Sequence, residues 1–299
     1  MSTIPTFNAF MRRQINELHK AGKIRTAETY RTTLNRFNDF LEGREVLFTE
    51  ITVSLIDQFD KYLIKRNLSR NIISFYMRIL RAVFNRGVDK GWTGQRRPFR
   101  HVYTGVDKTR KRAVTIQVIR RLYGMDLVGN PDLAMARDIF LFSFFARGMS
   151  FIDMAYLSRD DLDKGLLHYT RHKTGQELCI RWEPVLQEIV DRYPPNPNGF
   201  LLPIIDKQGH DFHKQYKSAI QKINKSLAKI SDRLNLDTPL TTYVARHSWA
   251  TIAYSRNVPL SLISEGMGHD SERTTRIYLA SVSNSGVDRA NRKIINLIQ

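Results

Sequence analysis

The stretch LFSFFARGMSFIDMAYL, residues 141–157, joins a strongly apolar helix to a glycine turn and a second short helix, with Arg147 at the seam. With the residues before it, PDLAMARDIF (131–140), it reads as a helix that belongs inside a core. An arginine among core residues must be paired or must point into a site. For Arg147 both readings stand: an ion pair with Asp153, or a guanidinium held for an anion. Arg246 poses the same question in TTYVARHSWAT (241–251), where Trp249 and Ala250 follow three and four positions on. A third arginine, Arg171, alternates within a strand-like piece and reads as structural.

Working outward, the chain has 299 residues, enough for two domains with real cores. Its 42% hydrophobic content, with 16 Phe and 12 Tyr, excludes a disordered chain. Cys179 is the sole cysteine, so an intrachain disulfide and a cysteine-rich metal site are excluded, and a reducing, cytoplasmic setting is expected. The N-terminus lacks the pattern of a secretory signal, and no apolar run is long enough to span a membrane. The net charge is +18, with 47 Lys and Arg against 29 Asp and Glu. It is unevenly spread: residues 1–112 carry 23 basic and 10 acidic residues, a net +13, and residues 113–299 only +5. A polyanion such as duplex DNA is the partner this implies.

The front of the chain (1–95) reads as four amphipathic helices. The last begins at a Ser69 cap and buries Ile72, Phe75, Tyr76, Ile79, Leu80 and Phe84. Its other side presents Arg70, Arg78 and Arg81, which need only meet phosphates to give affinity. Residues 92–112 lose the periodicity, and 96–112 read as a basic linker ending in Arg110, Lys111 and Arg112. Residues 113–299 form a second, mostly helical domain. Its one sheet signal is LLHYTR and ELCIRW, joined through HKTGQ as a hairpin with Gly175 in the turn. A helix capped by Thr115 is expected at its start, and RDDLDKG (159–165) reads as a polar turn.

A tyrosine near the end, Tyr278 in GMGHDSERTTRIYLA (266–280), can be an ordinary half-buried aromatic or a nucleophile. A phenol has a pKa of about 10, so as a nucleophile it needs positive charge nearby and an electrophile held in line. If that electrophile is a phosphodiester, two guanidiniums suit the charge that develops on the phosphoryl oxygens, and the leaving oxygen needs a proton. Arg147 and Arg246 are candidates for the first task and Lys173, at the hairpin tip, for the second. Tyr243 lies three residues before Arg246 and shares its face, whereas His247 looks towards the core. His269 reads equally as a site residue or as a helix-end cap.

Four segments in this order resemble the tyrosine recombinases, the phage-type integrases. ARGMSFIDMAYL is similar to the segment of the first catalytic arginine, which matches Arg147, with Asp153 where the family has a supporting acidic residue. TRHKTGQ resembles its strand-turn-strand lysine, implying Lys173 as general acid. TTYVARHSWAT resembles its histidine-x-x-arginine box, with Arg246 as second arginine. GMGHDSERTTRIYLA resembles the stretch that ends in the nucleophile, with His269 and Tyr278 nine residues apart. The resemblance implies a mainly α fold: a helical SAM-like core-binding domain joined to a mostly helical catalytic domain with a small antiparallel sheet. It also implies double-stranded DNA recombination sites as substrate, a tetramer on DNA, and residues 286–299 docking on a neighbouring protomer. The implied reaction conserves the ester through a 3′-phosphotyrosyl bond, so neither a cofactor nor a metal is expected.

One position departs from the pattern. Tyr243 stands where the family box begins with histidine, and its hydroxyl can donate to an oxygen but is a poor base near neutral pH. This substitution resembles integrases of mobile elements from Bacteroides-type bacteria. Chromosome-dimer resolution, DNA inversion and a type IB topoisomerase remain as alternatives, as does a non-catalytic DNA-binding protein. The aspartates of SRDDLD (158–163) are the only sequence argument for a metal nuclease.

Overall fold

The computed structural model describes residues 4–107, 112–196, 198–205, 212–269 and 271–279, with residues 277–279 described by backbone alone. The chain divides into two compact units, Met1–Thr109 and Arg110–Gln299.

In the first unit, helices α1 (Phe7–Lys20), α2 (Ile24–Phe40), α3 (Val53–Lys65) and α4 (Arg70–Asp89) enclose one core. Hydroxyl caps start three of them: Thr6 accepts from Ala9 N–H, Thr52 from Leu55 N–H, and Ser69 from Ile72 N–H. Phe7, Phe37, Phe48, Phe59 and Phe84 fill the interior at no more than 1% exposure each. Gly87 makes room for them, since a Cβ there would lie 2.2 Å from the Phe48 ring. Much of the aperiodic stretch that follows α4, from Trp92 to Asp107, packs on this core. Trp92 meets Phe10 and Phe48 edge-on or tilted, Phe99 is 5% exposed, and Ser74 donates to the Gly105 carbonyl. Asn71 exchanges two hydrogen bonds with the Asp107 backbone.

The second unit opens with α5 (Ile116–Tyr123), for which Thr115 stands at the cap position but makes no side-chain cap bond. The apolar helix α6 (Pro131–Phe145) lies in the centre and packs against α9 (Phe212–Arg233) and α10 (Thr242–Ser255). Its one buried charge, Asp138, is satisfied by Arg137, Arg192 and the Tyr193 hydroxyl. After α7 (Phe151–Ala155) come three antiparallel strands in sequence order, β1 (Leu162–Asp163), β2 (Leu166–Thr170) and β3 (Glu177–Arg181). The hairpin is the expected one. The short β1 is not: part of the expected polar turn pairs with β2, because Leu162 aligns with the buried Leu167. Helices α8 (Pro184–Asp191), α11 (Leu260–Gly266) and α12 (Glu272–Leu279) complete the unit. Among the described residues no helix is long and apolar enough to cross a membrane.

Candidate active site

The chain leaves α6 through two residues with left-handed backbone, Arg147 (φ 57°) and Gly148 (φ 72°). For a non-glycine residue this conformation costs energy, of order 1 kcal/mol or more. It buys a close approach: a Cβ on Gly148 would stand 3.0 Å from the Arg246 Cα. Arg246, on α10, is 3% exposed, and its guanidinium bridges three segments. It donates to the Gly148 carbonyl at 2.6 Å, to the Met267 carbonyl at 2.5 Å and to His269 Nε2 at 2.9 Å.

An arginine can only donate, so His269 Nε2 is the acceptor and carries no proton. The proton of the neutral ring is then on Nδ1, which donates to Thr275 Oγ1 at 2.7 Å. Burial, followed by Arg246, Arg171 and Lys173, pulls the His269 pKa down to about 3. His269 is therefore a neutral imidazole that steadies an arginine. Through Thr275 it also ties α12, the helix that carries Tyr278 one turn further on, to the rest of the site. The Tyr278 side chain lies outside the described residues.

Arg147 is half-buried and donates to the Cys179 carbonyl on β3 at 3.4 Å. Among the described residues no ion pair joins it to Asp153. That carboxylate, 3% exposed, accepts from Ser150 Oγ at 2.6 Å and from His172 N–H at 2.9 Å, and so holds the hairpin turn. Lys173 sits exposed in that turn, near enough to His269 to oppose its protonation. Tyr243 is 54% exposed on α10, and its ring meets His247 edge-on at 4.5 Å. His247 is half-buried beside Tyr243 at i+4, with its Nδ1 buried.

Two groups outside the sequence-based set lie here. Arg171 is 6% exposed and donates to the Gly268 carbonyl, next to His269. Tyr169 on β2 has its pKa raised by burial and by Asp153, against the opposing pull of Arg246, Arg171 and Arg147. Strand alternation shows only which way such residues face, and the Arg171 partner is 97 positions away. In the first unit, Arg70 stacks over the Tyr103 ring at 3.8 Å and lies 3.4 Å from Asp107. Arg81 donates to Thr104 Oγ1, and Arg78 to the Ser74 carbonyl. Arg112 is exposed, and Arg110 and Lys111 fall outside the described residues.

Residues 6–102 match the phage integrase SAM-like domain, and residues 166–284 match the phage integrase family. The chain belongs to the phage integrase family, the tyrosine-type site-specific DNA recombinases. The second match takes in Lys173, Tyr243, Arg246, His269 and Tyr278; Arg147 and Asp153 precede it. This integrase-family chain is 28% identical over 186 residues to tyrosine recombinase XerD of Halalkalibacterium halodurans, covering 59% of this chain and 60% of that one. The alignment thus spans about three fifths of that relative's length. It is 25% identical to tyrosine recombinase XerC of Roseiflexus sp., covering 90% of this chain and 87% of the other. The fold is similar to that of the Tn1549 transposon integrase in complex with transposon right end DNA (TM-score 0.68, 14% identity, 99% of this chain and 100% of that one). It is also similar to a lambda integrase dimer bound to a COC′ core site (TM-score 0.67, 14% identity, 90% and 96%). The mainly helical fold, with its SAM-like domain and small antiparallel sheet, agrees with the sequence reading.

Proposed function

We propose that this chain cuts and rejoins duplex DNA at recombination sites through a 3′-phosphotyrosyl bond to Tyr278. The observation that carries the reading is Arg246: a buried guanidinium bonded at once to the Arg147–Gly148 turn, to the end of α11 and to His269. In the reaction, Tyr278 Oη bonds to phosphorus as the bond from phosphorus to the 5′ oxygen breaks, and Lys173 gives that oxygen its proton. Arg246 and Arg147 stabilise the charge on the phosphoryl oxygens. The phenol proton goes to water, because Arg246 already engages the Nε2 lone pair of His269. Tyr243 hydrogen-bonds the phosphate. The reverse attack by a 5′ hydroxyl of a partner strand restores the diester, so the ester energy is kept and neither nucleotide nor divalent metal is consumed.

The biological task we assign is integration or excision of a mobile element. Tyr243 at the start of the arginine box supports this, through its resemblance to the integrases of Bacteroides-type elements. Chromosome-dimer resolution is the second reading, favoured by the similarity to a XerD protein. Four protomers would act together on DNA in the cytoplasm. Residues 286–299 lie outside the described residues, and we assign them to docking on a neighbour because Ile294, Ile295, Leu297 and Ile298 form an apolar cluster. The DNA handle we assign to Arg70, Arg78, Arg81, Arg110, Lys111 and Arg112, with Asp153 supporting the site through the hairpin turn. The test is a nicked duplex made from the DNA junctions flanking the gene, incubated with the protein and run on a denaturing gel. A slow-migrating adduct is expected from the wild type and none from Tyr278→Phe; an adduct with the Phe variant would sink the assignment.

A further inference from the structure

The base of the hairpin that carries Lys173 is poorly satisfied on its own terms. Arg171 Nε, Thr174 Oγ1 and Gln176 Oε1 are all buried without a hydrogen-bond partner among the described residues. Native interiors rarely leave such atoms unpaired, so three in six residues mark a turn that is not arranged for its own stability. Backbone bonds close it: Arg171 N–H donates to the Gln176 carbonyl, and Gly175 N–H to the Arg171 carbonyl, each at 2.8 Å. Beyond the hairpin, the Arg171 side chain donates to the Gly268 carbonyl. Gly268 precedes His269, has φ 62°, and leaves no room for a side chain. A Cβ there would lie 2.8 Å from Leu178 Cδ1 and 3.0 Å from Arg171 Cδ.

These contacts meet at a mechanical gap in the site. Arg246 and His269 are locked together from α10, α11 and α12, but Lys173 rides on an exposed two-stranded turn. A general acid must hold hydrogen-bond distance to the leaving oxygen. Leu178 and Gln176 also approach that loop at Gly268, but the side-chain hydrogen bond from the base of the turn to the His269 loop comes from Arg171. We propose that Arg171 is a positioning residue, a latch that holds the Lys173 hairpin in register with His269 so that Lys173 can protonate the leaving 5′ oxygen. It rests on the recombinase reading above. Arg171 makes its bond to the backbone of the His269 loop, at the Gly268 carbonyl. Its value lies in a fixed fork, which a lysine lacks.

The test uses the full chain and nicked junction duplexes of two kinds, one with an ordinary bridging oxygen and one with a 5′-bridging sulfur, which leaves as a thiolate without a proton. Single-turnover adduct formation is measured for the wild type, Arg171→Gln, Arg171→Lys and Gly268→Ala. The last keeps the charge of Arg171 but pushes against the latch. Loss of a general acid costs roughly 100-fold or more, so Arg171→Gln and Gly268→Ala should fall by about that factor on the oxygen duplex. On the sulfur duplex both should return to within several-fold of the wild type, with DNA affinity unchanged and Arg171→Lys intermediate on oxygen. Equal slowing on both duplexes by folded Arg171→Gln and Gly268→Ala, as judged by circular dichroism, would overturn the latch. So would wild-type rates on oxygen. A wild type that makes no adduct with either duplex would instead overturn the recombinase reading beneath it.

Discussion

His269 sits beside Arg246, Arg171 and Lys173, and each of these cations opposes a further positive charge. The folded pKa of about 3 lies below the ordinary histidine value of about 6.5. The unfolded chain therefore binds this proton more readily. The stability that His269 contributes is present above pH 6.5 and is lost as the pH falls towards 3. From pH 6.5 to 5 that amounts to at most about 2 kcal/mol. Urea midpoints should fall over this interval in the wild type and fall less in His269→Gln; parallel curves would refute the neutral-histidine assignment. Tyr243 makes a different prediction. If its hydroxyl donates to the phosphate, Tyr243→Phe should lose roughly 1–3 kcal/mol of transition-state stabilisation, while Tyr243→His stays active. Single-turnover rates across pH measure both, and indifference to Tyr243→Phe would return the residue to a surface role. At this scale the sequence was partly legible. An arginine in apolar company announced a buried guanidinium, and this held for Arg246, which is 3% exposed. The Arg147–Asp153 pair did not form, because the Ser150 hydroxyl and the His172 amide claim that carboxylate. The partners of a buried charge depend on long-range placement that local pattern does not carry.

Among the elements, two glycines set what the helices can do. At Gly87 on α4, an added methyl would meet the Phe48 ring at 2.2 Å. Gly87→Ala should therefore destabilise the first unit by about 1–3 kcal/mol through overpacking, seen as a lower unfolding midpoint; an unchanged midpoint would show that the ring moves aside freely. At Gly148 the obstacle is the backbone of α10, with the Arg246 Cα at 3.0 Å. Gly148→Ala should accordingly displace Arg246 and lower the cleavage rate as well as stability. Retained cleavage would mean that the turn and α10 are not coupled as described. Helices and hairpin were readable because their apolar periods and turn residues are local. The packing of 92–107 onto the first core was not, since Trp92 and Phe99 are isolated apolar residues within a basic, aperiodic stretch. The strand β1 is two residues long and too short to leave a pattern.

The whole molecule combines a strongly basic front unit with a site whose positive charge comes from its own side chains. In the proposed reaction Arg147, Lys173 and Arg246 would fill the role that a divalent cation has in other phosphoryl-transfer sites. Cleavage in excess EDTA without nucleotide should match the rate with magnesium, once DNA binding is compared at equal ionic strength. Complete loss in EDTA, restored only by magnesium, would contradict this and bring back the aspartates of SRDDLD. The most direct measurement asks which atom holds the DNA. The trapped adduct is digested with nuclease and trypsin, and the nucleotide mass is located by fragmentation. It is expected on Tyr278, within the peptide 277–289, and not on Ser281, Ser283 or Ser285 of that peptide. A nucleotide on one of those serines, or on the peptide 165–171 that contains Tyr169, would contradict it.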